Sequence, residues 1–261
     1  MLRGLVVPAP PPPLSPLTFY LSPLITLRAK ELAAKELKRR KAPRHGLSIW
    51  WVVFWTPVLW MLSALLAGSL WQFPKGFFTG LSAAAFGFAF ALGSVLFVCF
   101  PCSPVYVFGH EFTHWLAAVA TGHRAGWPRL GLRKGSVNVV QPTLFIALAP
   151  YIFPFYLVVS AIALTVTRLC WALVPPLFWP LACGWLGLCY SYHIVLTITS
   201  LWSGQEDVKF RGPVLSYSFI VFGNLLFLYL SLVLVSQQWR AAWLVPWRLM
   251  VFCWERIFHA A

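Results

Sequence analysis

From Ser48 onward the chain alternates long apolar stretches with short polar joins. The stretches run over 48–70, 81–100, 104–121, 143–166, 173–201 and 214–235. A helix needs about 20 predominantly apolar residues to cross a bilayer, so each stretch predicts one membrane segment. Four of them contain no Asp, Glu, Lys, Arg or His; 173–201 contains His193, and 104–121 contains His110, Glu111 and His114. Pro101 and Pro104 separate the second stretch from the third, because proline cannot continue a helix. In the join 122–142, Leu130-Gly131-Leu132 and Val137-Asn138-Val139 flank the polar centre Arg133-Lys134-Gly135-Ser136. That pattern predicts a small β-hairpin at 124–141, with an irregular loop as the alternative. The expected fold class is an all-α, polytopic membrane helical bundle of five or six membrane segments with this hairpin beside it.

Two flanks differ from the apolar region of residues 48–235. Residues 1–47 open with Pro8-Ala9-Pro10-Pro11-Pro12-Pro13, which favours extended chain. Eight Lys/Arg and two Glu follow between Arg28 and Arg44, and 27–41 predicts a surface helix. No apolar core of a signal peptide follows Arg3 before the prolines, so this part reads as a cytoplasmic, lipid-facing leader. Residues 236–261 mix Trp239, Trp243, Trp247 and Trp254 with Arg240, Arg248 and Arg256, the composition of an interfacial helix.

Composition narrows the function classes. Hydrophobic residues make up 60 % of the 261 and charged residues 10 %, with a mean hydropathy of +0.76. Average soluble proteins carry about 25 % charged residues. An ordinary cytosolic enzyme and a disordered chain are therefore excluded. A net charge of +14 suits nucleic acid in principle, but the 20 Lys and Arg all lie outside the apolar stretches. The expected partner of that charge is the anionic face of a lipid bilayer, not nucleic acid.

Basic residues also predict orientation. The leader, the join 122–142 (Arg124, Arg129, Arg133, Lys134) and the join 202–213 (Lys209, Arg211) should share the cytoplasmic side, opposite Lys75 and Arg168. Three full crossings between the leader and 122–142 would put those two on opposite sides. One segment is then re-entrant or incomplete, and 104–121 is the best candidate.

That segment carries the chemistry. His110-Glu111-Phe112-Thr113-His114 is an HExxH motif, and on a helix residues four apart share one face. His110 and His114 can thus bind one zinc ion, while Glu111, one position along, serves as general base toward a zinc-activated water. Glu111 is the one acidic residue in any apolar stretch, where an ionisable group is expensive unless paired or functional. A catalytic zinc normally has three protein ligands. Asp207, in Gln205-Glu206-Asp207, is the first candidate for the third; His193 is the alternative, ahead of Glu206 or water. His123 reads as a surface histidine. Asn224, within hydrocarbon, needs a partner: another helix, or a substrate backbone. Cys99 and Cys102 have CxxC spacing with no second pair. The six cysteines read as small hydrophobes rather than ligands.

Gly109 to His114 on an apolar helix, a hairpin-like join, and Ala149-Pro150-Tyr151-Ile152-Phe153-Pro154 opening the next span resemble the site-2-protease clan of intramembrane zinc metalloproteases, peptidase family M50. The likeness is closest to small bacterial M50-like membrane proteins and covers roughly residues 80–235. It implies zinc on His110 and His114, Glu111 as base, and an Asp as third ligand. In the family that Asp lies in a Leu-Asp-Gly motif; here Asp207 stands in a similar place within Gln-Glu-Asp-Val. The resemblance implies a protease acting on a transmembrane or membrane-proximal peptide in the bacterial inner membrane, its N-terminus cytoplasmic. The alternative is a non-enzymatic membrane protein whose zinc site serves assembly, sensing or metal handling. Glu111 discriminates, since a structural site does not need it.

Single cysteines at positions 40, 134 and 209, in a cysteine-free background, are expected to react from one side with a membrane-impermeant thiol reagent. Reaction of position 134 from the opposite side would show that 104–121 crosses fully.

Overall fold

The computed structural model describes residues 49–73, 80–132, 134–171, 175–209, 212–237 and 239–258. The leader, with the helix expected over 27–41, lies outside the described residues. Among those described, the chain forms nine helices and one two-stranded sheet: α1 (Ile49–Trp71), α2 (Leu81–Cys99), α3 (Ser103–Ala120), β1 (Arg129–Leu130), β2 (Gly135–Ser136), α4 (Leu144–Ile152), α5 (Phe155–Cys170), α6 (Phe178–Trp202), α7 (Glu206–Lys209), α8 (Pro213–Ser236) and α9 (Trp239–Phe258).

Four helices, α1, α2, α6 and α8, are long and apolar enough to cross a membrane, and α4 with α5 makes a fifth if the bent pair counts as one span. The expected lower count of five is reached if the bent pair is one span, and a sixth is absent among the described residues for two local reasons. Helix α3 has 18 residues but carries three ionisable side chains, and it is not among the helices apolar enough. The stretch 143–166, expected as one span, is broken: α4 and α5 meet at 68°. Proline disfavours helical backbone in the residue before it. Phe153, before Pro154, is accordingly extended (φ −98°, ψ 107°).

Small residues set the closest helix pair. Gly187 of α6 stands against the backbone carbonyl of Phe86 on α2, and Gly93 of α2 against Ser191 and Leu188. Backbones approach this closely only where no Cβ intervenes. Around this contact, Leu66, Phe86, Leu157, Leu186, Tyr190 and Val233 form the main apolar core, drawn from α1, α2, α5, α6 and α8. Buried serines do not disturb it. Ser63, Ser218 and Ser231 each donate to the carbonyl four residues earlier, at 2.7, 2.9 and 2.6 Å, which satisfies a hydroxyl in apolar surroundings.

The hairpin is antiparallel, with Arg129 opposite Ser136 and Leu130 opposite Gly135. Nearer its base, Ala125 bridges Val139, the Gly126 N–H donates to Asn138 O (2.9 Å) and the Val140 N–H to Arg124 O (3.0 Å). The strands differ from the expected 130–132 and 137–139, and the turn comes two residues earlier than expected. Gly131 is the reason: a Cβ there would lie 2.7 Å from the Lys134 carbonyl oxygen, so the turn closes only at a glycine. At the C-terminal end α9 lays Leu249 over Gly68 of α1 and exposes Trp243, Trp247 and Trp254. All six cysteines are free thiols, and Cys99 and Cys102 are exposed.

Gly187→Ala should destabilise the bundle by ~1–3 kcal/mol, because its methyl meets backbone that cannot yield. Gly87→Ala, on α2 with open space around it, should stabilise by up to ~1 kcal/mol through helix propensity. Thermal unfolding followed by circular dichroism separates the two; equal unfolding temperatures would refute the packing argument.

Candidate metal centre

Helix α3 presents His110 and His114 one turn apart, their rings 4.9 Å between centroids and nearly perpendicular at 81°. The helix is held from behind at Gly109. Tyr156 of α5 packs where a Cβ would be, and its hydroxyl donates to the Val105 carbonyl at 2.6 Å.

Helix α4 supplies the next layer. Thr143 caps its start, the side chain accepting from the Ile146 N–H at 3.3 Å. Residues 146–151 are all buried. In an α-helix the Ile146 carbonyl would accept from the N–H of residue 150. Residue 150 is proline and has no N–H, so this carbonyl has no partner in its own helix. His114 takes it: Nδ1 lies 2.8 Å from Ile146 O. A carbonyl only accepts, so Nδ1 carries the proton and Nε2 is left as a lone pair. Such an outer hydrogen bond fixes the tautomer and orientation of metal-binding histidines generally.

The third group arrives from far along the chain. Val208 of α7 is buried against Leu148, Tyr151 and Ile220, which anchors the join between α6 and α8. Its neighbour Asp207 is thereby turned to the histidines. Asp207 Oδ2 lies 3.9 Å from His110 Nε2 and 3.7 Å from His114 Nε2. Both separations are too long for a hydrogen bond. Two ligands each about 2.0–2.2 Å from one ion sit at most ~4 Å apart, and both pairs fall within that limit. The ligand atoms of His110, His114 and Asp207 all lie within 4.8 Å of one another, and no other group of three His, Cys, Asp or Glu does so among the described residues. The Tyr151 hydroxyl donates to the same Oδ2 at 3.1 Å, which helps to orient the carboxylate. Burial pushes the Asp207 carboxyl up, but His114, His110 and the Tyr151 hydroxyl outweigh it and hold the carboxyl below its ordinary range. Two imidazoles and an ionised carboxylate are a donor set that suits a divalent metal ion.

Glu111 stands beside this group, beneath the hairpin. Gly135 of β2 lies so close to the Glu111 side chain and to Val107 that a Cβ would strike both. The hairpin is fastened at its base, where Ala125 and Val139 pack on Ala117, Ala118, Ile146 and Ala149, and by Trp127 stacked on Trp115 at 5.0 Å.

The remaining candidates fall elsewhere. His193 is not in the three-residue group; it lines a cavity of about 30 Å³ together with His110. Glu206 is exposed. His123 turns to Thr121, its Nδ1 2.9 Å from the hydroxyl. Asn224 bonds between helices, its amide donating to Tyr151 O at 2.9 Å and to Ile220 O at 2.8 Å, so both hydrogens are committed within the protein. Sequence reasoning missed Pro150, Tyr151 and the Ile146 carbonyl as parts of the site. A proline inside an apolar helix was the available signal, since it always frees a carbonyl four residues back.

The chain matches no known protein family, no curated protein and no solved structure.

Zinc titration of the purified protein should show one site per chain. His110→Ala and His114→Ala should abolish it and Asp207→Ala should weaken it more than tenfold, while Glu206→Ala changes it little. Pro150→Ala, which restores a competing N–H to Ile146 O, should weaken it about tenfold through His114. A silent Asp207→Ala beside a damaging His193→Ala would replace Asp207 by His193 as third ligand.

Proposed function

We propose that this protein is a membrane-embedded, M50-like zinc peptidase that hydrolyses peptide bonds within or beside the bilayer. The observation carrying this reading is the approach of His110, His114 and Asp207 to metal-binding distance with Glu111 next to them and outside the ligand group. Four or five helices apolar enough to span a membrane support the bilayer as its setting. The bacterial inner membrane, with the leader on the cytoplasmic side, is part of the same proposal.

Bound zinc supplies Lewis acidity and lowers the pKa of a water towards about 7. The chain's own groups do the rest. His114, held by Ile146 O, offers a bare Nε2. Asp207, held by Tyr151, offers a carboxylate. Glu111 accepts the proton of the attacking water and passes it to the leaving amine. Gly135 packs against the side chain of Glu111. A substrate helix must unwind before its backbone can be attacked. Strands β1 and β2 pair only with each other among the described residues, so each has an outer edge without a strand partner, and strand addition there is the way an extended segment would be held.

Glu111→Gln keeps size and polarity but cannot accept the proton. It should retain zinc and fold while losing about 10²–10⁴-fold in cleavage rate. Membrane peptides from cells carrying wild type and variant provide the comparison. Identical fragment profiles from zinc-loaded wild type and variant would favour the non-enzymatic zinc scaffold, and loss of zinc from the variant would assign Glu111 to holding the ion.

A further inference from the structure

Among the buried polar atoms near the site that have no hydrogen-bond partner within the protein are His110 Nδ1, His193 Nε2 and Asn224 Oδ1. Leaving such an atom unanswered costs about 1–3 kcal/mol, so each calls for an account. His110 and His193 line the same cavity of about 30 Å³. The hydroxyls around it are engaged elsewhere. Tyr156 donates to Val105 O, Tyr192 to Cys102 O at 2.9 Å, and Thr113 to Gly109 O, while the Tyr106 hydroxyl on the same wall lies beside that of Ser200. The histidine nitrogens are left for one another.

Their chemistry is complementary. His110 turns Nε2 toward Asp207, so a metal on that nitrogen leaves Nδ1 protonated and in need of an acceptor. His193 has the Asn224 side chain and the Tyr151 carbonyl beside its ring. The Tyr151 carbonyl has no partner in its own helix because α4 ends at Ile152, before the break at Pro154. Nε2 is the ring nitrogen without a partner; a proton on the other nitrogen, toward these two acceptors, makes Nε2 a lone pair, and that tautomer is part of the proposal below.

We propose that His193 is a positioning residue of the metal centre, its bare Nε2 accepting the Nδ1–H of His110 directly or through one water in the shared cavity. This rests on the zinc reading above. A cavity of this size admits a single water, which needs two or more polar partners. The link closes a ring of contacts: Asp207 is held by Tyr151, the Tyr151 carbonyl by Asn224, and His193 beside both answers His110. His193 then acts on the metal through His110, as the Ile146 carbonyl does through His114.

The test is zinc affinity of the full chain, measured by chelator competition in wild type, His193→Phe, His193→Gln and Tyr192→Phe. His193→Phe fills the space without an acceptor and should bind zinc about ten- to hundredfold more weakly. His193→Gln, which offers an amide oxygen, should recover most of that loss. Tyr192→Phe removes a hydroxyl from the same cavity wall and should leave affinity unchanged, which a merely structural role would not permit. With cobalt in place of zinc, His193→Phe should keep the wild-type ligand-field spectrum; a changed spectrum would make His193 a ligand and overturn the proposal. Unchanged zinc affinity in folded His193→Phe would also overturn it while leaving the zinc reading intact, whereas a wild type that binds no zinc would remove the zinc reading itself. Should the variants not fold, ¹⁵N spectra of zinc-loaded wild type decide: an unprotonated His193 Nε2 supports the proposal, and a protonated one overturns it.

Discussion

Proline has no N–H to give, and at position 150 that absence leaves the Ile146 carbonyl buried and unanswered within its own helix. Much of the candidate centre follows from it. His114 supplies the missing donor, and in doing so it is locked into the one tautomer that offers Nε2 to a metal. The same short helix is cut off at Phe153–Pro154, which frees a second carbonyl, that of Tyr151. Asn224 answers this one from α8. Helix α4 thus works less as a span than as a frame, with two backbone acceptors and the Tyr151 hydroxyl directed at the groups around the site.

The surrounding bundle makes such a frame necessary. In apolar surroundings a polar group without a partner is costly, and a mobile one would find the wrong partner. Serines on the long helices settle this locally by bonding back along their own helices. Histidines and carboxylates cannot, and they require neighbours from other elements. Close helix contacts at Gly187, Gly93 and Gly109 hold those neighbours in register. The hairpin completes the enclosure over Glu111 because a glycine, and no larger residue, fits there.

Much of this was legible in the chain. Apolar stretches at 48–70, 81–100, 173–201 and 214–235 correspond to helices at 49–71, 81–99, 178–202 and 213–236. The spacing of His110 and His114 guaranteed a shared face on any helix. The stretch 143–166 misled because mean hydropathy does not register the break before Pro154, and the hairpin strands were misplaced because Gly131 admits a turn that alternation of apolar residues does not announce.

The sequence by itself determined what depends on neighbours in the chain: which segments are apolar enough to be buried, which residues share a helical turn, and which carbonyl a proline must orphan. Those properties follow from the 3.6-residue repeat and from local hydrogen bonding, and both can be read along the chain. Tertiary structure alone decided that Asp207, more than ninety positions beyond His114, meets the two histidines, that His193 shares a cavity with His110 instead of joining the ligand group, and that Gly135 covers Glu111. Such meetings depend on where whole helices cross. Crossing points are set by small residues, breaks and buried anchors such as Val208, whose effect exists only once the other partner is in place.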